Sequence, residues 1–190
     1  MKKITIVDYG SGNVLSAQKS FIKIAKDNNI EVDVLISKKL NDVKNSTHIV
    51  LPGQGAFSTC MNGLKKTDGL IDELSEFALI KKKPFLGICV GMQMLAKMSE
   101  ENGDHEGLGW IDGQIKLLPG DNLKLPHMGW NLAIPTNSKY NNLISNKNDY
   151  YFVHSYYFNC ANKDNILAET KYGTNFPSIV GKENIYGVQF

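Results

Sequence analysis

The sequence predicts an α/β protein with a doubly wound, mostly parallel sheet, helices on both faces and an antiparallel extension. Three observations point there. Short apolar runs alternate with helically spaced stretches through the first half of the chain, the pattern of βαβ units. Glycine-bearing turns follow three of those runs directly, at 8–13, 52–55 and 87–91. From Gly113 onward the helical spacing gives way to short apolar runs separated by turns, which predicts antiparallel pairing added to the parallel core.

Each element follows from its own residues. Residues 3–7 form a short apolar strand that ends in the turn Asp8-Tyr9-Gly10-Ser11-Gly12-Asn13. A helix follows over 14–27, with apolar positions Leu15, Phe21, Ile22 and Ala25. Residues 32–36 and 49–51 read as buried strands, the second stopped by Pro52-Gly53-Gln54-Gly55. Leu70, Ile71, Leu74, Phe77 and Ala78 are spaced for a helix over 70–80. Residues 84–88 make an apolar strand running straight into the helical stretch 89–95. Further strands are predicted at 114–118, 126–131, 150–158, 166–170, 178–180 and 185–190, and the polar stretch 135–149 reads as a surface connection with at most one short helix.

Composition narrows the function. The 190 residues, 42% of them hydrophobic, suit a single domain over 1–190 with enough apolar material to order itself. Twenty-one basic residues, every one a lysine, face 19 acidic ones; the net charge of +2 gives no field for nucleic acid or an anionic membrane surface. No apolar run approaches the roughly 20 residues of a membrane span, and the first strand meets Asp8 too early for a signal peptide, so a cytoplasmic location is expected. Three cysteines without a C-x-x-C pair exclude a disulfide framework and a structural zinc site. Gly10 and Gly12 lack the third glycine of a dinucleotide fingerprint, so no nucleotide cofactor and no metal are expected.

The chemistry concentrates at Gly87-Ile88-Cys89-Val90-Gly91, a G-x-C-x-G elbow between a buried strand and a helix. A residue at the tip of such a turn has strained backbone, and side chains two positions to either side would collide, hence the glycines. A helix starting there aims its free N–H groups and positive dipole end at the sulfur, which favours thiolate and leaves the Val90 N–H for an oxyanion. The same spacing also suits a small buried thiol in a tight turn. Pro52-Gly53-Gln54-Gly55 ends a neighbouring strand and opens on the same crevice, so it could offer a second oxyanion N–H, although by itself it is an ordinary turn.

These residues resemble the class I (triad) glutamine amidotransferases, whose domain is flavodoxin-like, and within them the glutaminase subunits of imidazole glycerol phosphate synthases. The resembling stretches are Ile6-Val7-Asp8-Tyr9-Gly10-Ser11-Gly12-Asn13, Leu51-Pro52-Gly53-Gln54-Gly55-Ala56-Phe57, the elbow with its flanks from Lys83 to Gln93, Gly107-Leu108-Gly109, Pro126-His127-Met128-Gly129-Trp130-Asn131, Phe152-Val153-His154-Ser155-Tyr156-Tyr157 and Ile185-Tyr186-Gly187-Val188-Gln189-Phe190. The resemblance implies that Cys89 attacks the carboxamide of glutamine, forms a γ-glutamyl thioester and releases ammonia. It implies that Gly53, Gly55, Gln93, Ser155 and Tyr156 hold glutamine and that the backbone N–H groups of Val90 and Gln54 form the oxyanion hole. It implies a heterodimer with a (β/α)₈-barrel cyclase subunit that receives the ammonia in histidine biosynthesis, with Asn13 and Trp130 in the docking regions. Ammonia supply for amidating a surface-sugar precursor, or a catalytically silent docking subunit, remain alternatives.

Two departures stand out. Gln54 occupies a position where this family usually has valine. The family's triad histidine and glutamate follow a Gly-Val-Gln-Phe strand that here ends the sequence at Phe190, so the domain is expected to lack its C-terminal segment and the 190-residue chain to turn glutamine over near background. Of the four histidines, His154 shares an alternating aromatic face with Tyr150, Phe152, Tyr156 and Phe158 and reads as a core or interface residue. His127 reads as structural or partner-facing, and His48, His105, Cys60 and Cys160 as bystanders.

Overall fold

A computed structural model describes residues 1–120, 123–138, 144 and 148–190. In chain order it holds β1 (Lys2–Val7), α1 (Val14–Asp27), β2 (Val32–Ser37), α2 (Leu40–Lys44), β3 (His48–Gly53), α3 (Phe57–Lys65), α4 (Leu70–Ser75), β4 (Phe85–Cys89) and α5 (Val90–Gln93). Then come β5 (Met98–Ser99), β6 (His105–Glu106), β7 (Gly113–Leu117), β8 (His127–Leu132), β9 (Ile134–Pro135), β10 (Asp149–His154), β11 (Tyr156–Cys160), β12 (Ile166–Tyr172), β13 (Thr174–Lys182) and β14 (Ile185–Val188). The main sheet has the order β2-β1-β3-β4-β14-β13-β12-β9, parallel from β2 to β14 and antiparallel beyond. This is the doubly wound core with an antiparallel extension.

The two sheet faces carry different cores. On one, Ile4, Ile6 and Val50 pack under Val14, Ala17 and Phe21, the inner stripe of α1. On the other, α3, α4, the helical turn 76–80 that continues α4, and α5 bury Phe57, Leu64, Leu74, Phe77 and Met92 against Val7, Leu51 and Phe85. Beside α1 the first face opens into an apolar groove of about 430 Å³, lined in part by Leu86, Tyr186, Val188 and Phe190.

Several elements differ from the sequence reading. β14 lies in the parallel core, hydrogen-bonded to β4 with Gly187 opposite Gly87, although it follows the antiparallel segment in the chain. The apolar run 150–158 is two strands, divided at Ser155 and paired in different sheets: β10 with β8, and β11 with β7. A period-2 pattern continues across such a break because both halves bury the same alternating residues. The helix after Cys89 spans only Val90–Gln93, where 89–95 was expected; Leu95 and Ala96 donate three residues back, to Met92 O and Gln93 O, which tightens and ends it. Helices α2 and α3 fall where no element was read. The helix allowed within 135–149 would fall largely on 139–143 and 145–147, outside the described residues.

Candidate active site

β4 delivers Cys89 to the tip of the elbow with φ +56° and ψ −115°, backbone that a non-glycine residue adopts only under strain. The flanking glycines are required by close approach. A Cβ on Gly87 would stand 2.5 Å from Gly91 O, and one on Gly91 would stand 1.8 Å from Leu51 O. Gly53 belongs to the same packing, since its Cβ would stand 2.6 Å from Gly91 N. Gly53, expected to hold substrate, lies against the first turn of α5, while its neighbours Gln54 and Gly55 line the cavity.

The sulfur opens on a cavity of about 310 Å³. Its wall brings together Cys89, Val90, Gln54, Gly55, Gln93, Ser155 and Tyr156, from segments scattered over a hundred residues. Pro126, Val153 and His154 close it on the β8–β10 hairpin side. Glu101, which the sequence reading passed over, contributes the only carboxylate to this wall among the described residues. Its Oε2 also accepts the Phe57 N–H at 2.7 Å, satisfying the open N-terminus of α3.

The electrostatics overturn one expectation. Burial pushes the Cys89 thiol up, against the Val90 N–H and the Gln189 amide, which pull it down by hydrogen bonding the sulfur. A four-residue helix carries little of the dipole expected of a longer one, so desolvation wins.

Hydrogen bonds decide how the cavity wall is oriented. Gln93 Nε2 donates to Tyr156 O at 3.2 Å and to Gln189 Oε1 at 3.1 Å. Tyr156 O also accepts from His154 Nδ1 at 2.9 Å. With that proton on Nδ1, His154 Nε2 is the acceptor for His127 Nδ1–H at 3.2 Å, and His127 Nε2 accepts from the Asn131 amide at 3.3 Å. Both histidines are thus neutral links of one directed chain, packed among Phe152, Tyr172 and Phe176. Burial drives the His154 pKa down to about 4 and lowers that of His127.

The loop after β3 is tied to the turn after β1. Ser11 Oγ–H donates to Gln54 O at 2.7 Å, Tyr9 O–H donates to Pro52 O at 2.7 Å, and the Gln54 N–H is directed at Ser11 Oγ at 3.4 Å. The Gln54 N–H expected in the oxyanion hole is therefore turned away from it in this state. Asn13 caps α1 through Oδ1, accepting the Ser16 N–H at 3.1 Å. Trp130 is 71% exposed on β8, its ring edge-on to Tyr151 with Met128 and Val153 also exposed nearby on the hairpin. Among the described residues no group of three His, Cys, Asp or Glu side chains is placed to hold a metal ion, and no helix is long and apolar enough to cross a membrane.

Comparison with known proteins agrees with this geometry. The family profile described as "Glutamine amidotransferase class-I" matches residues 5–190. The chain is 45% identical over 98% of its length to "Imidazole glycerol phosphate synthase subunit HisH" of Pelagibacter ubique, spanning 90% of that protein. It is 40% identical over 99% of its length to the protein of the same name from Rhodospirillum rubrum, again spanning 90% of it. Among solved structures, a crystal structure of a glutamine amidotransferase superposes with a TM-score of 0.69 at 15% identity, covering 98% of this chain and 88% of that one. A glutamine amidotransferase from Thermotoga maritima superposes with a TM-score of 0.62 at 20% identity, over 100% of this chain and 75% of that one. Those two likenesses establish the fold.

Proposed function

The chain belongs to the class-I glutamine amidotransferases and, within them, to the glutaminase subunits of imidazole glycerol phosphate synthase, and we propose that its glutamine chemistry runs through Cys89 in the 310 Å³ cavity. One observation carries the reading: Cys89, the one cysteine with positive φ among the described residues, opens on a cavity between the ends of β3 and β4 lined in part by Gln54, Gln93, Glu101 and Ser155, beside a backbone N–H that bonds its sulfur. Cys89 Sγ attacks the carboxamide carbon of glutamine while the thiol proton passes, through water, to the departing amide nitrogen. The carbonyl oxygen becomes an oxyanion, which the Val90 N–H stabilises. The Gln54 N–H joins it once the peptide turns away from Ser11. Collapse of the tetrahedral adduct breaks the C–N bond, giving ammonia and a γ-glutamyl thioester; water cleaves the thioester to glutamate and restores the thiol.

The wall supplies what glutamine needs at its other end. The Glu101 carboxylate suits the α-ammonium group, Ser155 and Tyr156 offer polar contact to the α-carboxylate, and Gln93 presents its carbonyl to an N–H of the substrate. Ammonia leaves toward a (β/α)₈-barrel cyclase, docked on the exposed Met128, Trp130, Tyr151 and Val153 face, which adjoins the cavity through Val153. Asn13, at the start of α1, is the second docking region. None of the four histidines serves as the acid–base. His154 alone reaches the cavity, and both its ring nitrogens are engaged elsewhere. Residues 1–190 assayed with the cyclase are accordingly expected to hydrolyse glutamine near background, a positioned acid–base being worth roughly 10²–10⁴-fold.

The test is covalent capture. An electrophilic glutamine analogue, with peptide mapping, is expected to label Cys89 in the complex with the cyclase and to spare Cys60 and Cys160. Labelling spread evenly over the three cysteines, or none at Cys89, would overturn the assignment.

A further inference from the structure

Gln189 follows β14 and is 1% exposed. Its N–H donates to Ser178 O at 2.9 Å, extending the β13–β14 ladder by one residue and thereby setting the face its side chain takes. Two residues earlier on that face, a Cβ on Gly187 would stand 2.5 Å from Met92 Cγ, so the Gln189 side chain is directed at α5 and the elbow. There its one amide touches both principal side chains of the site: Oε1 accepts from Gln93 Nε2 at 3.1 Å, and Nε2 lies 3.7 Å from Cys89 Sγ.

The bonding determines which end is which. Gln93 Nε2 spends its protons on Tyr156 O and Gln189 Oε1, which leaves Gln93 Oε1 as the end without a partner among the described residues, on the cavity wall. Gln189 Oε1 is then necessarily the acceptor, and its NH₂ is the end that meets the sulfur. We propose that Gln189 is a positioning residue with two tasks: it holds the Gln93 carbonyl toward the substrate and presents an N–H to the Cys89 sulfur as its thiolate forms. This rests on reading the cavity as the glutamine site. Hydrogen bonds to a thiolate favour it over the thiol, which is the direction in which Gln189 acts on Cys89. The titratable groups facing the sulfur are Cys60 from α3, Tyr9 from the turn after β1, and Glu101 and His154 on the cavity wall; none of them hydrogen-bonds Gln189.

Two substitutions separate the tasks. Gln189→Met removes both amide ends at similar size. Gln189→Glu keeps an acceptor for Gln93 but turns an oxygen toward the sulfur. The readouts are the pH midpoint of Cys89 alkylation by iodoacetamide, followed by mass spectrometry of the Cys89 peptide, and the glutamine concentration that half-protects Cys89. Both variants are expected to raise the alkylation midpoint by roughly 0.5–1 pH unit, the worth of a long hydrogen bond to a charged sulfur. Only Gln189→Met is expected to weaken glutamine protection, by roughly tenfold, as Gln93 loses its orientation. Circular dichroism identifies a variant that fails to fold; if Gln189→Met does, Gln189→Glu decides through its midpoint. Midpoints within about 0.2 unit of the parent overturn the proposal, as does loss of protection in Gln189→Glu equal to that in Gln189→Met. Failure of glutamine to protect the parent chain would instead count against the glutamine site itself.

Discussion

Acidification should unfold this protein through His154. The residue is 6% exposed, its Nδ1–H is bound to Tyr156 O, and its Nε2 must be bare to accept from His127. A proton on Nε2 would set two N–H donors against each other at 3.2 Å inside a ring of aromatic side chains. Burial accordingly lowers the pKa from 6.5 to about 4. The unfolded chain takes up a proton near pH 6.5 and the folded chain does so only near 4, so between these values the unfolded state binds more protons. The contribution is fully present above pH 6.5 and is lost as the pH falls toward 4. At 1.36 kcal/mol per unit, the shift amounts to about 3 kcal/mol, a large share of the stability of a domain of this size. The lowered pKa of His127 adds in the same direction.

Urea unfolding from about pH 7.5 to about pH 4.5, on the parent chain and on His154→Gln, measures it. The variant is expected to be less stable at neutral pH yet to lose about 2–3 kcal/mol less on acidification, because glutamine keeps a polar group in place but does not titrate. Parallel pH profiles, agreeing within about 0.5 kcal/mol, would refute the reasoning, since the loss would then come from other groups.

Other outcomes follow from the same geometry. Gly91→Ala, whose Cβ would stand 1.8 Å from Leu51 O, is expected to lower stability by about 3 kcal/mol or to prevent folding. Gly55→Ala, with open space but φ +92°, should cost only about 1–2 kcal/mol in the same chemical denaturation series. Glu101→Gln is expected to raise the glutamine concentration that half-protects Cys89 by roughly 10–100-fold, the worth of a hydrogen bond to a charged group. Trp130→Ala, at a 71% exposed position, should leave the melting temperature nearly unchanged and weaken binding to the cyclase by roughly 30-fold or more, measured by titration calorimetry.

Alone, the sequence determined the parts of this protein whose cause is local. A glycine two places on either side of Cys89, an apolar strand before it and helical spacing after it were sufficient to place the sulfur at a strained elbow, because the collisions that demand those glycines arise within a few residues. The parallel core was legible for the same reason, as strands and helices of fixed period. Tertiary structure alone decided the rest. Helix α5 ends after one turn and the sulfur is desolvated, so burial pushes the Cys89 thiol up where the helix end by itself would lower it. The Gln54 N–H is claimed by Ser11, 43 residues away, and Gly53 is pressed against the first turn of α5. Glu101 and Gln189 enter the site from segments that carry no spacing signal of their own, and the run 150–158 divides between two sheets at Ser155. Each of these depends on which distant backbone comes within three or four ångströms, and a hydrogen bond or a lost hydration shell is set by that distance, which no local pattern of residue types encodes.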